Sequence, residues 1–282
     1  MRNLLLLFVL IAPVVTLHAQ PKGRLPPNYI NPAQLNLAEG QAVMEKFRNA
    51  HPAGDYSFHF ELRDTPAQGP NQFFRGQLWG SWQAAGPVTR IALFKEAERV
   101  EFLVQNGPAP KMWRILADKE ATPVALTQTD YTHPLMGSMQ FTPFELQMPF
   151  IYWKDFVYEG SERVKGRPAY TFILYPPEGA LLPTNLAAVR VTVDADFNAL
   201  LRAETLDGSG KPMKSFRILS FKKAGETWIV KTIDLIDERT RAKTRFTVIA
   251  AAVAQEFGKE LFTVGTPLPS DTPARDAFIY FD

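Results

Sequence analysis

Histidine is the side chain most often used for proton transfer and metal binding near neutral pH. Beyond its first 19 residues this 282-residue chain has three, His51, His59 and His133. Their spacing excludes a His-x-x-x-His zinc motif. Serine chemistry fares no better. Gly137-Ser138 and Gly208-Ser209 lack the flanking glycines of a Gly-x-Ser-x-Gly elbow. Gly208-Ser209-Gly210-Lys211 invites comparison with a phosphate loop, but it lacks the first glycine and runs into Pro212, so a hairpin turn is expected. Asp194-Ala195-Asp196-Phe197-Asn198 begins like a calcium loop. Ala199 then stands where glycine is required and Thr205 where the bidentate glutamate should be, which points to a β-turn. Glu101 and Glu204 could be paired for glycoside hydrolysis, yet nothing in the sequence brings them together. No enzyme activity, metal or cofactor is expected.

The bulk composition supports a folded, exported protein. Hydrophobic residues make up 46% and charged residues 21%, with a formal net charge of +2. That balance is globular and gives no case for nucleic-acid binding. Arg2 precedes an apolar run from Leu4 to Val15, broken by Pro13, and Ala19 suits a cleavage site. Residues 1–19 therefore read as a signal peptide. The run is shorter than the ~20 apolar residues a membrane span needs. There is no cysteine, so neither disulfides nor a lipid anchor is expected. The protein is expected free in the periplasm or secreted.

Residues 20–35, rich in Pro, Gly and Asn, read as a linker. A helix is expected from Leu37 to Asn49, capped by Asn36 and ending before His51-Pro52. Period-two alternation follows: Tyr56, Phe58, Phe60 and Leu62 against Ser57, His59, Glu61 and Arg63. Further strands are expected over Phe73 to Gln83, Val88 to Phe94, Val100 to Val104 and Met112 to Leu116. Ala121 to Trp153 breaks the rhythm with Pro123, Pro134, Pro143 and Pro149 in an aromatic stretch, and Phe141-Thr142-Pro143 reads as a capped helix start. Strands resume over Phe156 to Val164, Ala169 to Tyr175, Val189 to Asp194, Leu200 to Leu206, Met213 to Lys222, Thr227 to Ile236 and Thr244 to Ala254. Short turns join most of them, as in hairpins rather than βαβ units. One domain over 36–265 and a tail over 266–282, with Phe278 to Phe281 as a final edge strand, complete the division.

Several late strands are apolar on both sides. Phe216 and Ile218 oppose Leu219 and Phe221; Trp228, Val230 and Ile236 oppose Ile229, Ile233 and Leu235. A sheet with one wet face alternates more cleanly. The first helix and the aromatic insertion are the available covers. Two readings remain open: a dry core, or a curved sheet holding a cavity under those segments. The charged run Arg239 to Arg245 reads as a solvated hairpin edge.

The text Asp155-Phe156-Val157-Tyr158-Glu159-Gly160, Val164-Lys165-Gly166-Arg167-Pro168-Ala169-Tyr170, Val189-Arg190-Val191-Thr192-Val193-Asp194, Leu201-Arg202-Ala203-Glu204 and Asp207-Gly208-Ser209-Gly210-Lys211 resembles the LolA-like outer-membrane lipoprotein-sorting family. The resemblance covers the C-terminal half; the first half matches in the order of its elements. It implies a bacterial envelope protein that is mainly β (α+β), a strongly curved antiparallel sheet or half-barrel with helices covering the concave face. It further implies a non-catalytic periplasmic carrier of lipid or lipoprotein acyl chains. The ligand-binding concavity is expected to use Phe141, Phe144, Leu146, Met148, Phe150, Trp153, Phe216, Ile218 and Trp228. Glutamate at both Phe150 and Trp153 is expected to abolish ligand uptake and leave the sheet folded. Family carriers latch their lid with a strand arginine; no residue of this sequence matches that position, and Arg75, Arg90 and Arg114 are candidates only as strand arginines. The chain is expected to be a monomer. The alternative is an envelope interaction or sensor module on the same fold, with a membrane partner.

Overall fold

The computed structural model describes residues 34–116, 122–268 and 272–282. The expected signal peptide, and the linker up to residue 33, lie outside the described residues. Helix α1 (Leu37–Arg48) starts where Asn36 and Glu39 form a reciprocal capping box. Six strands follow: β1 (Asp55–Thr65), β2 (Gln72–Gln83), β3 (Gly86–Lys95), β4 (Glu98–Gln105), β5 (Lys111–Ile115) and the short β6 (Pro123–Ala125). The insertion then carries α2 (Pro143–Gln147) and a 3₁₀ turn at Pro149–Tyr152. Seven strands come next: β7 (Asp155–Val164), β8 (Arg167–Tyr175), β9 (Ala188–Asp194), β10 (Leu200–Leu206), β11 (Pro212–Ala224), β12 (Thr227–Asp237) and β13 (Lys243–Gln255). The two-residue β14 (Ile279–Tyr280) closes the chain. The expected strands are all present; β6 was not anticipated.

All fourteen strands form one antiparallel sheet in the order β6-β5-β4-β3-β2-β1-β13-β12-β11-β10-β9-β8-β7, with β14 beside β13. The sheet is curved and does not close. This order has a direct consequence. The chain leaves the sheet at the edge strand β6 and returns as β7, the opposite edge. The segment between them has to bridge the two edges, which explains why so long a connection is apolar: it packs on a sheet face.

One face of the sheet is continuous apolar surface. Phe58, Phe60 and Leu62 of β1, Leu78 of β2, Ile91 and Leu93 of β3, Phe102 of β4 and, on the far side, Leu235, Phe216, Val191 and Phe172 belong to one buried cluster. Met44 and Phe47 of α1 and eleven buried residues of the insertion, from Tyr131 to Trp153, join it. Only two α-helices occur among the described residues, and α2 has five residues. The expected helical cover is therefore largely irregular chain, because four prolines between 123 and 149 remove backbone donors that helix would need.

Two glycines let β1 aromatics lie across this face. Gly76 pairs in register with Phe60, and Gly80 with Tyr56. A Cβ at Gly76 would sit 2.2 Å from the Phe60 ring, and one at Gly80 2.1 Å from the Tyr56 ring. The rings fill the space that the glycines leave. Gly76→Ala is expected to destabilise the protein by about 1–3 kcal/mol, the usual cost of overpacking. Urea denaturation measures it; a change within about 0.5 kcal/mol would mean that the Phe60 ring does not rest there.

The second apolar face has a different cover from the two expected. Trp79, Val88, Ala92, Leu103 and Ile115 pack against Leu261 and Phe262 of the C-terminal segment. Farther along, Phe278 stacks on His59 with ring centroids 4.1 Å apart and packs on Ala250 and Ala252. β12 pairs with β13 only over Thr232–Ile236, and β14 pairs with β13 at Ala250 and Ala251. The C-terminal residues are thus built into the sheet. Across β7 to β10 the same face carries ion pairs instead, Arg190 with Glu159 at 2.6 Å and Arg202 with Glu162 at 2.7 Å. Among the described residues no helix is long and apolar enough to cross a membrane.

Candidate functional site

The candidate site is the apolar face and the insertion packed on it. α2 begins where Thr142 and Glu145 form a capping box and Pro143 occupies the first turn. It ends at Met148, a buried non-glycine residue with φ 48°, a left-handed conformation that turns the chain into the Pro149–Tyr152 turn. This reversal gathers Phe144, Phe150 and Trp153 into one three-ring group, with centroids 5.9 to 6.4 Å apart. Phe144 is fully buried.

Polar contacts tie the insertion at its margins. Arg48, in the last turn of α1, donates from Nε to the Ile151 carbonyl at 2.8 Å and from Nη2 to the Trp153 carbonyl. Its guanidinium also lies 5.5 Å from the Phe156 ring centroid. Asn106 donates to the Gln147 carbonyl, and the Tyr131 hydroxyl donates to Gln147 Oε1 at 2.6 Å. Burial pushes the Tyr131 phenol up to about 12, so it stays a donor. Gln140 N donates to Thr244 Oγ1 at 2.7 Å. Lys214 bonds to the Gln140 carbonyl at 2.7 Å and to Glu145 Oε1 at 3.1 Å.

Little space is left beneath. One void of about 20 Å³ lies among Phe60, Leu78, Leu93, Leu135, Phe141 and Phe246. A second of about 20 Å³ lies among Met148, Phe150, Val189, Ala203, Phe216 and Leu235. Each has room for about one water. The trough is occupied by the protein's own side chains. Two larger hollows are open to solvent. One, of about 760 Å³, runs along the β10–β11 and β12–β13 turns; the other, of about 610 Å³, lies between the β4–β5 turn and the Pro177–Leu181 loop.

Eight of the nine residues expected at the concavity come together in the buried cluster: Phe141, Phe144, Leu146, Met148, Phe150, Trp153, Phe216 and Ile218. Trp228 does not; it is half-buried near the β11–β12 hairpin, opposite Lys223. Phe150 and Trp153 are only 3% and 5% exposed. Glutamate at both would bury unpaired carboxylates, so that pair of substitutions tests stability before it tests ligand uptake. None of the three candidate strand arginines holds the insertion by a hydrogen bond or ion pair seen among the described residues. Arg75 is exposed and pairs with Glu61, Arg90 is buried with Glu101, and Arg114 lies over the Phe102 ring. The arginine that holds the insertion is Arg48, on a helix. Its place in the last turn of an amphipathic helix just before a break was the available clue.

The turn readings hold. Asp194 accepts from Asp196 N and Phe197 N, and Asp207 from Ser209 N and Lys211 N. His51 stacks on Trp82, His59 on Phe278, and His133 bonds to the Thr129 carbonyl, three separate places. Glu101 and Glu204 lie on β4 and β10, with six strands between them in the sheet, each paired with arginines. The described residues contain no cluster of His, Asp and Glu able to hold a metal.

A family model described as "Uncharacterized protein" matches residues 99–266. The chain belongs to that family. No protein among curated sequences matches it. Three solved structures define its fold. A DUF1329 family protein from Desulfovibrio piger is 15% identical with a TM-score of 0.69, over 80% of this chain and 97% of that one. A putative outer membrane lipoprotein-sorting protein domain from Vibrio parahaemolyticus is 14% identical with a TM-score of 0.67, over 79% and 94%. A LolA superfamily protein from Nitrosomonas europaea is 15% identical with a TM-score of 0.59, over 79% and 96%. The fold is LolA-like, and the likeness spans both halves of the sheet, the half with the expected text and the half without it.

Proposed function

We propose that this protein is a non-catalytic periplasmic carrier of lipid or lipoprotein acyl chains, acting as a monomer in outer-membrane lipoprotein sorting or lipid transport, without a cofactor. The LolA-like fold supports this reading, as does the likeness to a putative lipoprotein-sorting domain. The observation that carries it is the continuous apolar sheet face filled by a separate aromatic segment that is tied to it by polar groups. In this closed state the insertion stands in for the ligand. An acyl chain gains about 0.8 kcal/mol per buried CH₂, and it has to displace the insertion to do so. Release needs only a receiver that binds better.

The test uses the full exported chain, stripped of lipid. Titration with a dansylated fatty acid is expected to give saturable blue-shifted fluorescence, and binding is expected to speed proteolysis within 126–153. A second reading, an envelope interaction module with a permanently filled trough and a membrane partner, is favoured by the small voids. The same titration separates the two. No saturable uptake, with no lipid in mass spectra of the purified protein, rejects the carrier and leaves the interaction module.

A further inference from the structure

We infer that Lys214 is the head-group site of this protein, and that its ligand is a single-chain anionic amphiphile entering beneath α2. The inference rests on the carrier reading above and adds the place of entrance and the ligand's charge. Along the apolar face the strands change character within one pleat. Thr205, Lys214 and Asp237 are paired in register across β10, β11 and β12. One pleat farther in, Ala203, Phe216 and Leu235 are paired in the same way. Side chains two residues apart share a face, so a polar row borders directly on an apolar one.

Glu145, Thr205 and Lys214 line both the open 760 Å³ hollow and the apolar void under Met148 and Phe150. The Lys214–Glu145 ion pair stands at that boundary at 3.1 Å, and the Glu145 side chain is 6% exposed. A carboxylate of the protein thus occupies the place where an amphiphile's anionic head would meet the ammonium, with the apolar route directly behind. Removing Glu145 from Lys214 also loosens α2, since Lys214 holds the insertion through Glu145 and the Gln140 carbonyl.

The charge of the ligand follows from the Lys214–Glu145 pair rather than from the rim of the hollow, where Asp207 and Asp237 stand beside Lys211 and Arg239. Asp207 and Asp237 spend their carboxylates on backbone N–H groups of their own turns. Lys211 and Arg239 line the same hollow, where each faces the aspartate of its own turn, Asp207 and Asp237. Exchange of the Glu145 carboxylate for a ligand anion keeps Lys214 paired, while Glu145 retains its capping-box bonds to Thr142. A neutral head has no such exchange open to it.

The test follows tryptophan fluorescence of the full exported chain with laurate, lauryl alcohol and lauroyl-lysophosphatidylglycerol. The wild type is expected to bind at least one of the two anions about tenfold or more tighter than the alcohol, the scale of a hydrogen bond to a charged group. Lys214→Met is expected to erase that preference, so that anions and alcohol bind alike, even where the loosening of α2 shifts all three affinities together. Glu145→Gln removes the competing anion and keeps the cap of α2; it is expected to tighten anion binding, a gain that misfolding cannot imitate. Preference for the lysophospholipid over laurate assigns a lipid head group, and the reverse a free fatty acid. Equal binding of anions and alcohol by the wild type, or a preference that survives Lys214→Met, overturns this inference and leaves the carrier reading standing. No binding of any of the three overturns both.

Discussion

Truncating Phe144 to alanine is expected to lower the unfolding free energy by about 3–5 kcal/mol, the range for a buried phenylalanine. Phe144 is fully buried and central to the ring group of the insertion. It also lines the void beneath Met148, so the space vacated joins that void. Its walls are mostly apolar, Met148, Phe150, Val189, Ala203, Phe216 and Leu235, with Glu145, Thr205 and Lys214 at one end. The variant is therefore expected to take up a small apolar probe such as benzene that the wild type excludes. Urea denaturation with and without benzene measures both effects. A loss under about 1 kcal/mol would mean that the insertion is not packed on the sheet as described.

The second large effect belongs to the opposite face. Glu101→Ala is expected to cost about 3–5 kcal/mol, because removing one partner of a buried ion pair strands the other. Arg90 is 1% exposed. Its guanidinium pairs with Glu101 and donates to the Leu261 and Thr266 carbonyls, at 3.1 and 2.7 Å. Those carbonyls belong to the C-terminal segment, so a displaced Arg90 releases that cover. Limited proteolysis between 256 and 268 is expected to accelerate in step. The double variant Arg90→Met/Glu101→Met is expected to recover much of the loss, since apolar residues of similar size can replace a buried pair. A double variant less stable than Glu101→Ala alone would show that the carbonyl contacts of Arg90, rather than its charge balance, hold the segment.

Taken together, the two substitutions separate the two covers of one sheet. The insertion sits on the apolar face by hydrophobic packing with polar ties at its margin. The C-terminal segment sits on the other face through a few buried polar anchors, Arg90 and Trp79 among them, the latter donating from its indole to the Thr272 carbonyl. The first arrangement suits a cover that is exchanged for a ligand. The second suits a permanent one.

Local rules made the strands, the turns and both helix starts legible from the residues alone. Period two in β1, the capping residues Asn36 and Thr142, and the Asx turns at Asp194 and Asp207 depend on neighbours in the chain, and those neighbours are written beside them. The aromatic content of the insertion likewise announced that it packs on something. What it packs on was decided only by the strand order, which sends the chain from one edge of the sheet to the other. Arg48 as the anchor, Lys214 beside Glu145, the C-terminal segment as the second cover and the small voids beneath the insertion all join residues far apart in sequence. Periodicity reports which face a side chain takes; it carries no information on which distant segment meets that face, or on how much volume remains once both are packed.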